Sequence, residues 1–235
     1  MNNTLQIILY SSLAGFPIII GGLISSVFQT RKSDLKAEIN HWIVAFGGGA
    51  LLSAIAFALI PKAIVDLSYV ELTVFFLSGT LAFMFVDIII ARIGGSLAQA
   101  ISMMMDFIPE ALALGASFAH NRNFGLLLAM FIGMQNLPEG FNSYLELRKK
   151  MKKRSTLLLM LGLSFIGIFA ALSGEYFLNS HPKTISSIMS FAGGGILYLV
   201  FQDIAPLSKR RKDWIPATGA SIGFLIGMIG EKLLR

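Results

Sequence analysis

The sequence contains no cysteine among its 235 residues, and charged residues make up 14% of it against the roughly 25% of an average soluble domain. Without cysteine, the chain can form no disulfide, thiolate metal site or thiol redox centre. The HExxH motif of zinc hydrolases is missing too, and no apolar segment pairs a serine with a histidine. These absences exclude a disulfide framework and a soluble enzyme.

Long uncharged apolar runs dominate what is present. Hydrophobic residues make up 55% of the chain, and its first charged residue is Arg31. Further runs cover 39–61, 155–174, 184–202 and 214–230. Each approaches the roughly 20 apolar residues that a helix needs to cross a bilayer. The pattern predicts an all-α integral membrane protein.

Eight transmembrane helices are predicted, and they form a single polytopic membrane domain over residues 1–235. Eight spans of about 21 residues use most of the chain, so no separate soluble domain fits within this sequence. The spans lie at approximately 4–28, 40–61, 70–91, 96–119, 124–147, 156–178, 185–206 and 214–232.

Lysine and arginine are distributed unevenly between the loops. Alternate loops, at 31–36, 92, 148–154 and 209–212, hold 14 of the 19 basic residues. The positive-inside rule places these loops in the cytoplasm and both termini outside. The net charge of +6 is therefore explained by topology, with the lipid bilayer as partner and no nucleic acid.

Two internal repeats relate spans that run in opposite directions. Residues 46–61 align with 191–206 at an offset of 145, with phenylalanine, two glycines, leucine and proline in common. Residues 106–111 align with 135–140 at an offset of 29. Inverted repeats are typical of carriers whose substrate site lies near the bilayer midplane.

Six of the 13 acidic residues fall inside the predicted spans, whereas no lysine or arginine lies near a span centre. An ionised side chain at the bilayer centre costs at least about 2.5–3.5 kcal/mol, so such residues face a cavity and indicate function. With no basic partner from the chain, they must bind protons or a cation. The six are Asp87, Asp106, Glu110, Glu139, Glu175 and Asp203.

Spacing places four of the polar residues on two helix faces. Asp106 and Glu110 are four residues apart, as are Gln135 and Glu139, so each pair projects from one face. A proline lies inside each pair and frees the backbone carbonyl four residues before it. Carboxylate, amide and carbonyl oxygens together form a plausible cage for a divalent cation.

At these residues the chain resembles the ZIP (Zrt/Irt-like) family of divalent metal transporters. That family carries HNxPEG in its fourth span and HxxPE or QNxPEG in its fifth. Here the fifth-span motif is QNLPEG at 135–140, and the fourth-span motif is DFIPEA at 106–111. The resemblance implies a 3+2+3 arrangement of spans with an inverted repeat, and two metal sites between spans 4 and 5. It also implies import by alternating access, in a protein that is often a homodimer.

The fourth-span motif departs from the family where Asp106 replaces a histidine and Phe107 an asparagine. The first change supplies a hard oxygen ligand, and the second removes a ligand, so we expect one competent site or a weakened pair. The expected metal residues are Asp106, Glu110, Gln135 and Glu139, with Asn136 as a secondary ligand and Glu175 and Asp203 assisting release or proton exchange. No catalytic residue and no prosthetic cofactor are expected.

Ligand hardness favours Mn²⁺, Fe²⁺, Mg²⁺ or Co²⁺ over a zinc-selective site, although carboxylates also bind zinc and cadmium. The expected function is therefore import of a divalent metal such as Zn, Mn, Fe, Cd or Co, and the short loops are compatible with a bacterial inner membrane. Two alternatives stay open here. One is a transport-inactive relative acting as a metal sensor or structural membrane protein, and the other is a diacidic intramembrane enzyme.

Overall fold

The structure, a computed structural model, describes residues 3–28, 34–93, 98–118, 121–209 and 214–234. Within these ranges the regular structure is helical and contains no strand. Seven of the helices are long and apolar enough to cross a membrane. The prediction of an all-α membrane protein is confirmed.

We number the helices α1 to α8, and two of them contain a turn of π-helix. α3 is Tyr69–Ile93, α4 is Ala98–Phe118, α5 is Arg122–Leu147, α6 is Lys153–Leu178 and α8 is Ile215–Leu234. α1 consists of Asn3–Gly15 and Pro17–Phe28. α2 consists of Asp34–Ala54, the π-turn Ile55–Leu59 and Ile60–Asp66, and α7 of Pro182–Leu199, the π-turn Val200–Ile204 and Ala205–Ser208.

Helix α5 is the one of the eight that falls short of the others in apolar character. The polar residues in its middle and second half, Gln135, Asn136, Glu139 and Ser143, are buried and do not face the surroundings. The neighbouring helices α1, α2, α4 and α8 pack around it. A polar helix is stable at this depth when other helices shield it from lipid.

The two π-turns stand at equivalent positions of the longer sequence repeat. Ile55–Leu59 in α2 and Val200–Ile204 in α7 are 145 residues apart, which is the offset of that repeat. Each π-turn is followed by a proline, Pro61 or Pro206. A π-turn inserts one extra residue into a helix and is frequent at functional sites. The same interruption therefore occurs in two helices that run in opposite directions.

Glycines at equivalent positions of the repeat hold two helix pairs in close contact. A Cβ atom added at Gly49 would overlap the carbonyl of Ala220 in α8, and one added at Gly194 would overlap the carbonyl of Phe76 in α3. The offset of 145 residues thus relates Gly49 of the α2–α8 pair to Gly194 of the α3–α7 pair. Close backbone approach through small residues is how helices pack in membranes.

The helices separate into two groups by this kind of contact. Glycines also seal α4 to α6, where Gly115 meets the carbonyl of Ala171, and α1 to α5, where Gly140 meets the carbonyl of Ile18. The contact between Gly47 of α2 and α5 is of another kind, because Gly47 meets a side chain there, that of Pro138, and not a backbone carbonyl. One group is α1, α4, α5 and α6, and the other is α2, α3, α7 and α8.

The two ends of the bundle can be distinguished by their basic and capping residues. Arg148, Lys149 and Lys152 lie at the end that we call the basic side, whereas Lys183 lies at the opposite end. The predicted orientation also counts Arg31, Lys32 and residues 210–212, which lie outside the described residues. At the start of α3, Ser68 and Glu71 form a capping box in which the Ser68 N–H donates to Oε2 of Glu71 at 2.9 Å.

Candidate metal centre

Helices α4 and α5 pack against each other and run in opposite directions, which pairs their polar residues crosswise. Near the middle, Gln135 Nε2 donates a hydrogen bond to Glu110 Oε2 at 2.5 Å. One helical turn closer to the basic side, the carboxyl groups of Asp106 and Glu139 face each other at hydrogen-bonding range. The i, i+4 spacing in each helix thus produces two polar layers between α4 and α5.

These side chains are buried, and several of their oxygens have no donor. Asp106, Glu110, Gln135 and Glu139 are between 0% and 8% exposed. Among the described residues, Glu110 Oε1, Gln135 Oε1 and Glu139 Oε2 accept no hydrogen bond. A buried polar atom without a partner costs about 1–3 kcal/mol, and more when it is charged. All three are acceptors, so the layers need protons or a cation.

The charges around the cluster have one sign. The charged groups that act on the Glu139 carboxyl are Asp106 and Glu110, both acids. In the part of the chain that the structure describes, no three His, Cys, Asp or Glu side chains stand together as a finished metal cluster. The carboxyl groups instead occupy two layers, about one helical turn of 5.4 Å apart. Side-chain rotation is needed to bring them around one ion.

A cavity of about 30 Å³ extends from the layer of Asp106 and Glu139 toward the basic side of the bundle. Asp106 and Glu139 line it at one end, and Val44 and Leu207 line it toward the helix ends. A single water needs roughly 10–15 Å³ of such space, so the cavity has room for two or three species of that size.

The opposite side of the cluster is closed by apolar side chains. One helical turn beyond Glu110 and Gln135 lie Leu114 and Phe131, both fully buried. Ala58 from the π-turn of α2 belongs to the same core. Among the described residues, the cavity that reaches the cluster therefore lies on its basic side, and apolar side chains separate the cluster from the opposite end.

Four of the seven predicted site residues do not line the cavity: Glu110 and Gln135 of the central layer, and also Asn136 and Glu175. Asn136 donates from Nδ2 to the Ala14 carbonyl of α1 at 2.8 Å, and its Oδ1 has no partner among the described residues. Glu175 stands on α6 beside Gly174, which packs against the Leu112 carbonyl of α4. Its Oε2 is buried and unpartnered, but it does not line the cavity.

Phe107 occupies the position where the family motif has asparagine. Its side chain is fully buried. The ring lies between Gly15 of α1 and Gly167 of α6, where the Gly167 Cα leaves no room for an added Cβ. The side of α4 that faces α1 and α6 is consequently apolar, and the polar cluster opens only toward α2 and α7.

Asp203 does line the cavity, and its π-turn places it there. Asp87 of α3 acts electrostatically on Asp203 and accepts a hydrogen bond from the Tyr198 hydroxyl at 2.9 Å. The acidic character of the cluster therefore continues toward the basic side of the bundle.

Sequence reasoning missed two further polar residues of this cavity, Ser102 and Asn142. Ser102 precedes Asp106 by four residues, and Asn142 follows Glu139 by three, so each shares the helix face of a predicted ligand. Extending the i, i+3 and i, i+4 pattern by one helical turn finds both.

Comparison with known proteins gives one informative match. No protein-family model matches the chain. The zinc transporter GufA of Myxococcus xanthus is 31% identical over 144 residues, which are 59% of this chain and 56% of that protein. The chain is similar to a zinc transporter. The match spans little more than half the length of that curated relative.

The comparison and the fold agree on the class of protein. A match to a transporter and several membrane-crossing helices describe a multi-pass membrane protein related to metal transporters. The relative is named for transport and not for catalysis. The buried oxygen cluster then has the chemistry of a cation site, because carboxylate and amide oxygens are ligands for divalent metals.

Proposed function

We propose that this chain carries divalent metal ions across a membrane by alternating access, with the ion held between α4 and α5. The observation that carries the proposal is the set of buried oxygens without donors on Glu110, Gln135 and Glu139. A divalent cation satisfies these acceptors together and removes the repulsion between the carboxyl groups. The relative named as a zinc transporter supports the same function.

The roles follow from the two layers. Glu110 and Glu139 clasp the ion from facing helices, and Asp106 and Gln135 complete its ligand shell. Asn136 is a secondary ligand through its free Oδ1, reached when its side chain turns from the Ala14 carbonyl. Asp203 and Glu175 assist release or proton exchange. Because the described ligands are oxygens, the favoured metals are Mn²⁺, Fe²⁺, Mg²⁺ and Co²⁺, with Zn²⁺ and Cd²⁺ also accepted.

The proposed orientation of the chain in the membrane follows from the distribution of basic residues. The basic side corresponds to the cytoplasm under the positive-inside rule, so both termini lie outside. In this proposal the cavity faces the cytoplasm, and the carrier imports its ion. A bacterial inner membrane and a homodimer complete the proposal.

Uptake into proteoliposomes tests the function. We expect Glu139→Gln to reduce uptake of Mn²⁺ by roughly 10- to 100-fold, the loss typical of a damaged metal shell. The control is Glu146→Gln on the same helix, because Glu146 is exposed and paired with Lys149 at 2.7 Å. Its uptake should match that of the wild type.

The assay runs in parallel with Zn²⁺, Cd²⁺, Fe²⁺, Co²⁺ and Mg²⁺. Folded wild-type protein that binds Mn²⁺ without moving any of these metals contradicts transport and identifies a metal sensor. Uptake that persists in Glu139→Gln shows that the ion passes elsewhere.

A further inference from the structure

Three polar side chains of the cavity, those of Ser102, Asn142 and Asp203, form no hydrogen bond with the central carboxyl layers in the described part of the chain. Each lines the cavity, and none forms a side-chain hydrogen bond with another described residue. Their oxygens are therefore free to face water or an ion in the cavity. They come from three helices, α4, α5 and α7, and so surround the cavity from different directions.

We infer that these three side chains form a second, weaker cation station on the basic side of the central carboxyl layers. The inference rests on the proposed function and deepens it. Asp203 supplies the charge, while the Ser102 hydroxyl and the Asn142 amide oxygen supply neutral ligands suited to a hard divalent cation. An ion leaving Asp106 and Glu139 reaches this station while still inside the cavity.

The carboxyl group of Glu139 in the central layers also supports a cation station in this cavity. Glu139 lines the cavity and is 8% exposed, yet its Oε2 has no hydrogen-bond partner among the described residues. A buried carboxyl oxygen open to a cavity that also contains Asp203 is positioned to share an ion with it. The space, about 30 Å³, admits the ion with one or two waters.

The π-turn of α7 creates the station, and the equivalent turn of α2 does not. The offset of 145 relates Asp203 to Ala58 and Leu207 to Lys62. Ala58 is fully buried and apolar, and Lys62 is held in an ion pair with Asp66 at 2.9 Å. The repeat thus supplies an acid on the basic side only, which makes the station one-sided, as a release station of an importer requires.

Counting bound Mn²⁺ tests the station without requiring transport. Purified protein in detergent is dialysed to equilibrium against increasing Mn²⁺, and the metal per chain is measured by elemental analysis. We expect one tightly bound ion and a second, weaker ion in the wild type. Asp203→Asn, and separately Ser102→Ala with Asn142→Ala, should weaken the second ion by roughly tenfold and leave the first in place.

Two controls separate this inference from the proposed function. Ser173→Ala with Asn179→Ala changes the same two residue types on α6 and at the residue that follows it, away from the cavity, and should bind both ions. Glu110→Gln should lose the tight ion alone, because Glu110 does not line the cavity. If the tight ion survives Glu110→Gln, the proposed central site is wrong, whereas loss of the weak ion in Asp203→Asn still supports the station.

The inference of a second station is wrong if the wild type binds a single ion that Glu110→Gln removes. It is equally overturned if a second ion persists unchanged in both cavity variants. Proteoliposomes add a functional reading, in which the cavity variants lower the saturated rate of Mn²⁺ uptake while the α6 control does not.

Discussion

At the scale of single residues, Asp106 is the position that sets the hardness of the proposed ligand set. Its carboxyl stands opposite that of Glu139 and lines the cavity on the basic side. A histidine at this position offers a nitrogen ligand, which zinc accepts more readily than Mn²⁺ does. The preference of the carrier for a metal is therefore adjustable at one side chain.

We predict that Asp106→His raises the ratio of Zn²⁺ to Mn²⁺ uptake by roughly tenfold, the scale on which single changes in a metal shell act. Proteoliposomes that take up both metals from one mixture give the ratio directly. Glu146→His is the control, because it introduces the same side chain at the exposed end of α5. An unchanged ratio in Asp106→His removes the argument from ligand hardness.

At the same scale, the sequence predicted which polar residues lie close together, but not every contact that they make. The i, i+4 spacing and the absence of basic partners predicted an acidic cluster, and the structure brings Asp106, Glu110, Gln135 and Glu139 together between α4 and α5. The direction in which Asn136 points did not follow from spacing. Its amide is committed to Ala14 of α1, a contact over 122 residues that no local pattern encodes.

At the scale of elements, the slot for Phe107 shows how α1, α4 and α6 are fitted together. The ring fills the space that Gly15 and Gly167 leave empty. A core packed this closely tolerates little added volume. The pair of glycines and the phenylalanine therefore behave as one packing unit.

We predict that Gly167→Ala destabilises the protein by about 1–3 kcal/mol, because the new methyl group overlaps the Phe107 ring. Thermal unfolding in detergent should show a lower midpoint. Gly162→Ala on the same helix is the matched control, since an added Cβ there meets nothing within 4 Å. That change should leave the midpoint unchanged or raise it, because alanine favours a helix over glycine by about 1 kcal/mol.

A smaller side chain at position 107 should restore part of the stability that Gly167→Ala removes. Phe107→Leu combined with Gly167→Ala should recover part of the lost midpoint, since leucine leaves room for the methyl group. Equal midpoints for Gly167→Ala and Gly162→Ala contradict the slot.

At the scale of the whole molecule, the repeat and the basic loops define two different ends. The cavity opens at the end where Arg148 and Lys152 lie, and apolar side chains close the other. The orientation of these ends in the membrane decides which side of the membrane the cavity faces. Because the chain lacks cysteine, single cysteines can report it without a background of native thiols.

We predict that Ser180→Cys, in the loop between α6 and α7, reacts in intact cells with a maleimide that does not cross membranes. Lys152→Cys, just before α6, should react only after the membrane is permeabilised. Both residues are exposed in the structure, so access to the reagent depends on the side of the membrane. The reverse pattern of labelling places the basic side outside and contradicts the proposed orientation.

By itself, the sequence determined the class of fold and the kind of chemistry, because both depend on composition and local spacing. Apolar runs long enough to cross a bilayer required helices, and acids within them without basic partners required protons or a cation. The offset of 145 also related the two segments in which the structure places π-turns, since a proline and a run of small residues recur at equivalent positions in α2 and α7.

Only the tertiary structure decided which of the predicted residues share a cavity. Asp203 reaches it through the π-turn of α7, and Ser102 and Asn142 join from α4 and α5, whereas Glu175 lies against a different part of α4. Helix periodicity fixes which residues share a face, but not the neighbour that the face meets. That choice depends on backbone approach between distant segments, as where Gly49 meets Ala220 and Gly194 meets Phe76.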